Sequence, residues 1–215
     1  MPQPKSASRA RRAALLACVA AAVAAVGFAP SAGAAKKPKS VMKIAPGEVT
    51  VFKTGDAPDA LPEDVQTAVM TSLTGYLNAA TVTPLRKGKP ADDAALGATL
   101  ALPVVARLAG TDRQVLLDEG LPKSVSKITL RSMPVTLTGL ADGGGNIVVV
   151  TANLAAKTTT KTTKGKLTIT RTGELVFEPE GGAWKITGYS LVVDRAGKGV
   201  PPTAPAPTTP TPAAQ

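Results

Sequence analysis

The sequence predicts an α+β fold, with helices gathered in the first half of one domain and packed on a four-stranded antiparallel meander in the second. Three observations carry this. Apolar residues recur at helical spacing across residues 62–80, and the period changes to strand-like alternation after residue 127. Clusters of Gly, Pro, Asp and Asn then separate the later strands at short intervals.

Residues 48–53, with Val49, Val51 and Phe52, read as a short strand. A long first helix follows over residues 62–80. Pro62 suits its first position, and Glu63 and Asp64 complement the positive end of its dipole. Val65, Ala68, Val69, Ser72, Leu73, Tyr76 and Leu77 form its apolar face. After a turn-rich stretch, Asp92 caps a second helix that Pro103 kinks or splits. Thr111 to Gln114 is a capping-box pattern for a short third helix, closed by Gly120 and Pro122. Asp118 and Glu119 at its end read as a solvated pair.

Four strands complete the domain. Residues 127–137 alternate, with a break near Met133 and Pro134, and Asp142 to Asn146 make a glycine turn. Residues 147–158 are β-branched, and residues 167–177 form a strand interrupted at Gly173. In the last strand, residues 183–193, Trp184 and Ile186 share a face and Gly188 bulges the strand, so that Tyr189, Leu191 and Val193 take over the phase.

The ends read differently. Residues 1–12 are basic, 13–29 are unbroken apolar, and Pro30 to Ala34 supply a turn and a small-x-small pattern, which together predict a signal peptide over 1–35 cleaved after Ala34 or Ala35. The alternative is an N-terminal membrane anchor, for which 17 weakly apolar residues fall short of the ~20 that cross a bilayer. Leu15-Leu16-Ala17-Cys18 resembles a lipobox, but only five apolar residues stand between Arg12 and Cys18. Arg11-Arg12 is a loose twin-arginine match without the bulky residues that usually follow. Residues 36–47 form a basic linker, 48–195 a single domain, and 196–215 a Pro/Thr-rich tail with too little apolar bulk for a core.

Composition limits the chemistry. The chain of 215 residues has no His and one Cys, Cys18 in the signal, which excludes His-based triads, Cys/His zinc sites and thiolate nucleophiles from the mature protein. The net charge of +10 belongs mostly to the ends, since residues 41–195 hold 17 basic residues and all 15 acids. Lys157, Lys161, Lys164 and Lys166, with Arg171, form a basic run interleaved with threonines. It reads either as a soluble hairpin whose lysines block edge pairing or as a weak contact for an anionic partner. No aromatic is interleaved for base stacking, so nucleic acid is not expected.

Gly173-Glu174-Leu175, Gly182-Ala183-Trp184-Lys185-Ile186 and Tyr189, following a long helix and two short ones, resemble the nuclear-transport-factor-two-like (cystatin-like) superfamily. More narrowly, they are similar to exported bacterial proteins of that fold associated with mammalian-cell-entry systems. The resemblance implies a cone with a curved sheet and a pocket for which Tyr76, Trp184 and Tyr189 are candidate lining residues. It also implies an alternative activity, an isomerase or dehydratase using a pocket carboxylate and a tyrosine. With no partnered base visible, the expectation is a secreted, non-enzymatic binding or interaction protein of the envelope or medium; a structural envelope component is the remaining alternative. No cofactor and no metal is expected. The partner is an unknown protein or small apolar ligand, with peripheral envelope contact and a homodimer through the sheet face as further expectations.

Overall fold

In the computed structural model, which describes residues 42–110 and 112–201, two short strands precede a helical block and five further strands. The strands are β1 (Met42–Lys43) and β2 (Pro46–Phe52), then β3 (Thr129–Ser132), β4 (Val135–Ala141), β5 (Ile147–Thr162), β6 (Gly165–Glu180) and β7 (Ala183–Gly197). The helices are α1 (Glu63–Leu77), α2 (Thr83–Lys87), α3 (Asp93–Gly97), α4 (Leu102–Arg107) and α5 (Asp112–Leu116), with a π-helical turn, Asn78–Val82, joining α1 to α2. The expected signal, its cleavage after Ala34 or Ala35, Cys18, Lys36, Lys37, Lys39 and the tail from residue 202 lie outside the described residues.

The sheet is seven-stranded and mixed among the described residues. β4, β5, β6 and β7 pair antiparallel in succession, and β3 pairs antiparallel with the second half of β5, beside β4 on its first half. Two parallel pairs complete it, β2 on β4 and β1 on β3. This corrects the expected four-stranded antiparallel meander. Each parallel partner lies beyond the whole helical block, as parallel pairing requires, and no local pattern announces a partner so distant. Residues 127–137, expected as one strand, divide into β3 and β4 at Met133-Pro134.

The helical block also departs from one long and two short helices. α1 ends at Leu77, and the chain widens into the π turn, where the Thr83 N–H reaches the Asn78 carbonyl. The cause is Pro84, which has no N–H to return to Ala80. The Asp118 N–H takes the Ala80 carbonyl instead, at 2.8 Å. Pro103 sits in the first turn of α4, which starts at Leu102, and Asp92 caps α3 by accepting the Ala94 N–H at 3.1 Å.

One sheet face is buried. Val150, Ala152, Leu154 and Ala156 of β5 and Leu167, Ile169, Leu175 and Phe177 of β6 point inward at alternate positions. Leu73, Tyr76 and Leu77 of α1, with Leu85, Leu96, Leu100 and Leu116, belong to the same core. The cone-shaped pocket is therefore a second correction: fully buried side chains occupy the space between α1 and the sheet. Gly173 does not interrupt β6, which runs unbroken from Gly165 to Glu180. The glycine is there because β7 crosses so closely that a Cβ would stand 2.0 Å from the Ser190 carbonyl oxygen, at a φ of +133°.

Candidate functional site

The three aromatic candidates occupy three different settings. Tyr76 is fully buried and donates its hydroxyl to the Leu116 carbonyl at 2.8 Å. Burial raises its pKa, against the opposing pull of Arg171, whose guanidinium lies over the ring at 5.8 Å. Tyr189 is half-buried and donates to Asp112, while Arg107 sits over its ring at 5.1 Å. Burial and then the Asp112 hydrogen bond raise its pKa as well. Trp184 lies opposite Pro179 at the far end of the β6–β7 pair and packs on the edge of the core. These residues do not converge on a shared cavity.

Two shallow grooves run along α1. One, of about 480 Å³, is lined by Pro46, Gln66, Thr67, Met70 and Thr74 among others, and its neighbour by Glu63, Asp64, Thr67 and Ala68. Neither reaches Tyr76, Trp184 or Tyr189. No group of His, Cys, Asp or Glu side chains suited to a metal ion occurs among the described residues.

The sequence reading missed an ionic centre inside the core. Asp118, expected as a solvated acid, is 1% exposed. Its Oδ2 accepts from Thr81 at 2.6 Å and from Arg171 Nη2 at 3.0 Å, and its Oδ1 accepts from Arg195 Nε at 2.7 Å. Arg171 also donates through Nη1 to Thr81, at 2.9 Å, and its Nε has no hydrogen-bond partner. Burial pushes the Asp118 pKa up, but the two guanidinium groups and the hydrogen bonds to Thr81 and Arg195 outweigh it and hold the carboxyl below its ordinary value. The π turn places Thr81 in this network, so the helix irregularity and the buried charge are one construction. Glu119 is not free either: Arg113 grips it with two hydrogen bonds, at 2.7 and 2.9 Å, and it accepts the Ala91 N–H.

Two signals for this centre stand in the sequence. Asp118 follows Leu116 and Leu117 directly, and Arg171 occupies the inward phase of β6, in step with Leu167, Ile169, Leu175 and Phe177. Arg171 therefore leaves the basic run to which its sequence position assigns it. A core ion pair of this kind is costly to desolvate and serves stability only as a complete set.

Lys157, Lys161, Lys164 and Lys166 are exposed, as expected, but their setting is not an edge hairpin. β5 and β6 are both interior strands, flanked by β3 and β4 on one side and β7 on the other, so there is no edge for these lysines to protect. Lys161 and Lys166 stand directly opposite each other, and Lys157 faces Arg131 of β3. Like charges in register destabilise a sheet. More cations join them at this end. The Val125 N–H donates to the Lys161 carbonyl and the Thr163 N–H to the Lys123 carbonyl, which ties the 122–127 loop, with Lys123 and Lys127, to the β5–β6 tip. Gly197 pairs with Leu167, bringing Lys198 alongside, and Gly88, next to Lys87 and Lys89, packs on the Lys123 side chain.

Several acids lie at the other end of the strands. Asp142 is in the β4–β5 turn, Glu178 and Glu180 end β6, and Asp56 packs against Gly145. Asp142 Oδ1 accepts the Gly144 and Asn146 N–H groups, which fixes that turn and accounts for the carboxylate without a cation. Lys53 pairs with Asp59, and Lys185 with Glu180 at 3.1 Å. The strand turns thus separate part of the domain's charge along the sheet, acids at one end and lysines at the other.

No protein-family model, no curated protein and no solved structure matches the chain, and the superfamily resemblance read from its Trp-Lys-Ile strand finds no counterpart among them.

Proposed function

We propose that the protein is a bacterial export that works outside the cytoplasm as a non-catalytic interaction protein. The observation that carries the reading is the filled interior: the space in which this layout would have to hold a substrate contains Tyr76, Leu73, Leu77, Leu175 and Phe177, each fully buried. Contact with a partner is left to the outer surfaces. Export rests on the basic, apolar and small-residue succession of residues 1–35.

The isomerase or dehydratase alternative has one observation to lean on, the Asp112–Tyr189 pair. A general base acts on a proton of bound substrate. Here the carboxylate already accepts the phenol and faces Arg107 at 3.5 Å, and neither groove opens on it.

Fractionation of producing cells tests the proposal. A chain shortened by 34 or 35 residues should appear in medium or washed-cell extracts, together with co-purifying partners identified by mass spectrometry. Recovery of the whole chain from the cytoplasm would overturn the export reading.

A further inference from the structure

We infer that the lysine-capped end of the sheet is a docking surface for an anionic lipid bilayer. This deepens the interaction reading above and rests on it. The fold assembles this end from four separate segments: the α2 exit with Lys87 and Lys89, the 122–127 loop with Lys123 and Lys127, the β5–β6 tip with Lys161, Lys164 and Lys166, and Lys198 after β7. All eight lysines are exposed, and none takes part in an ion pair among the described residues, where the exposed pairs involve Lys53, Arg107, Arg113 and Lys185 instead.

Three features select a bilayer among anionic partners. First, the cations sit on loop tips and strand ends, which meet a plane, while linear polyanions are tracked by grooves with stacking aromatics; neither of the two grooves along α1 is here. Second, eight of the nine exposed cations on these segments are Lys, the ninth being Arg86 of α2. With a single guanidinium fork among them, the patch suits diffuse attraction to headgroups more than bidentate recognition of one phosphate. Third, Val125, 60% exposed, projects from the same loop between Lys123 and Lys127, an apolar side chain placed where it would enter the headgroup layer. The charge sorting adds orientation. β5 has 16 residues, about 50 Å at ~3.3 Å per residue, so the acidic end is held well beyond the Debye length of about 8 Å from an anionic surface that the lysines touch. Clusters of about four to eight basic residues beside a membrane bind anionic lipid with ~1 kcal/mol from each.

The test is co-sedimentation of the purified full chain with phosphatidylcholine vesicles, with and without phosphatidylglycerol. K161Q/K166Q is compared with K53Q/K185Q, which removes the same charge from the opposite end. Because all variants share residues 1–41, any contribution of that segment cancels. Binding should require phosphatidylglycerol and be lost in high salt. It should fall on the order of 30-fold in K161Q/K166Q and stay near wild type in K53Q/K185Q. V125S, which changes no charge, should weaken binding several-fold. Equal binding to vesicles without phosphatidylglycerol, or equal loss in the two double variants, would overturn the inference. Capture by a soluble polyanion without vesicle binding would overturn it as well. Any of these with the chain still found outside the cytoplasm removes the bilayer but leaves the export reading intact, whereas cytoplasmic retention strikes the reading itself.

Discussion

Replacing Asp118 by Asn should destabilise the protein severely and remove part of its acid sensitivity. Asn has nearly the same size, so no cavity forms; what changes is charge and hydrogen bonding. Asp118 offers acceptors on both oxygens, to Thr81 and Arg171 on one and to Arg195 on the other. An amide keeps one acceptor and turns an N–H group towards a donor on the other side, whichever way it is placed. Two guanidinium groups are then left in the core without a counter-charge, Arg171 being 2% exposed. Removing one partner of a buried ion pair costs about 3–5 kcal/mol, which for a domain of this size lowers Tm by roughly 10 °C. The sign with pH follows from the depressed folded-state pKa. Below the ordinary carboxylate value of 3.8 the unfolded chain takes up a proton that the folded chain resists, so this contribution is present at neutral pH and fades as pH falls through the folded-state pKa. Urea unfolding from pH 7 down to pH 3 measures both effects. The wild type should lose stability across the acid limb, and D118N should be weaker at pH 7 and flatter below. The double variant D118N/R171Q, which removes one cation with the anion, should recover part of the loss. A D118N protein within about 1 kcal/mol of wild type at neutral pH, or one with an unchanged acid limb, would refute the account of the centre as a complete ionic set.

Other perturbations test other parts of the construction. G173A should cost about 3 kcal/mol or more in denaturant unfolding, because the new methyl collides with the Ser190 carbonyl oxygen in a backbone region that L-residues avoid; a near-neutral effect would mean the β6–β7 approach is looser. Y76F leaves the ring in place and removes its hydrogen bond to Leu116, so a loss of about 1–2 kcal/mol is expected in the same assay. Both tyrosine pKa values are raised by folding above the ordinary 10.0, so the stability they contribute is intact below pH 10 and lost as pH rises above it. Ultraviolet titration of the folded protein should show no phenol ionising at its ordinary pKa, and D112A should bring one titration downwards.

What the sequence displays well is local. The Asp92 cap, the Asp142 to Asn146 turn, the break at Met133-Pro134 and the bulge at Gly188 each depend on residues within a few positions, and each is found. What it hides is pairing across long separations. β1 and β2 are short runs whose partners, β3 and β4, follow after the helices, so neither the mixed sheet nor its seven strands can be read from alternation. The α1 end was misplaced for a related reason. Pro84 signals a disturbed helix, but its consequence, a π turn that hands the Ala80 carbonyl to Asp118, requires a residue from the segment beyond α5. Arg171 shows the limit from the other side. Its position in the inward phase is visible, yet proximity to four lysines in sequence suggests the surface, and only the presence of Asp118 decides between the two.

The charge distribution follows the same logic. Counted along the chain, residues 41–195 are close to neutral, and the lysines after residue 157 form one isolated run. In the sheet the count is the wrong quantity. Each long strand carries the chain from one pole to the other, so residues at successive reversals alternate between two ends some tens of ångströms apart. The turn after β4 and the turn after β6 fall at one end and carry Asp142, Glu178 and Glu180; the turn after β5 and the exit of β7 fall at the other and carry Lys161, Lys164, Lys166 and Lys198. Placing acids at every second reversal and lysines at the others converts a balanced sequence into a polarised molecule. Lys161 and Lys166 stand opposite each other on the exposed face, since the neighbouring positions Thr160, Thr162 and Leu167 turn to the buried one. The like charge gathered at that end is the physical argument for a partner that supplies the missing negative charge.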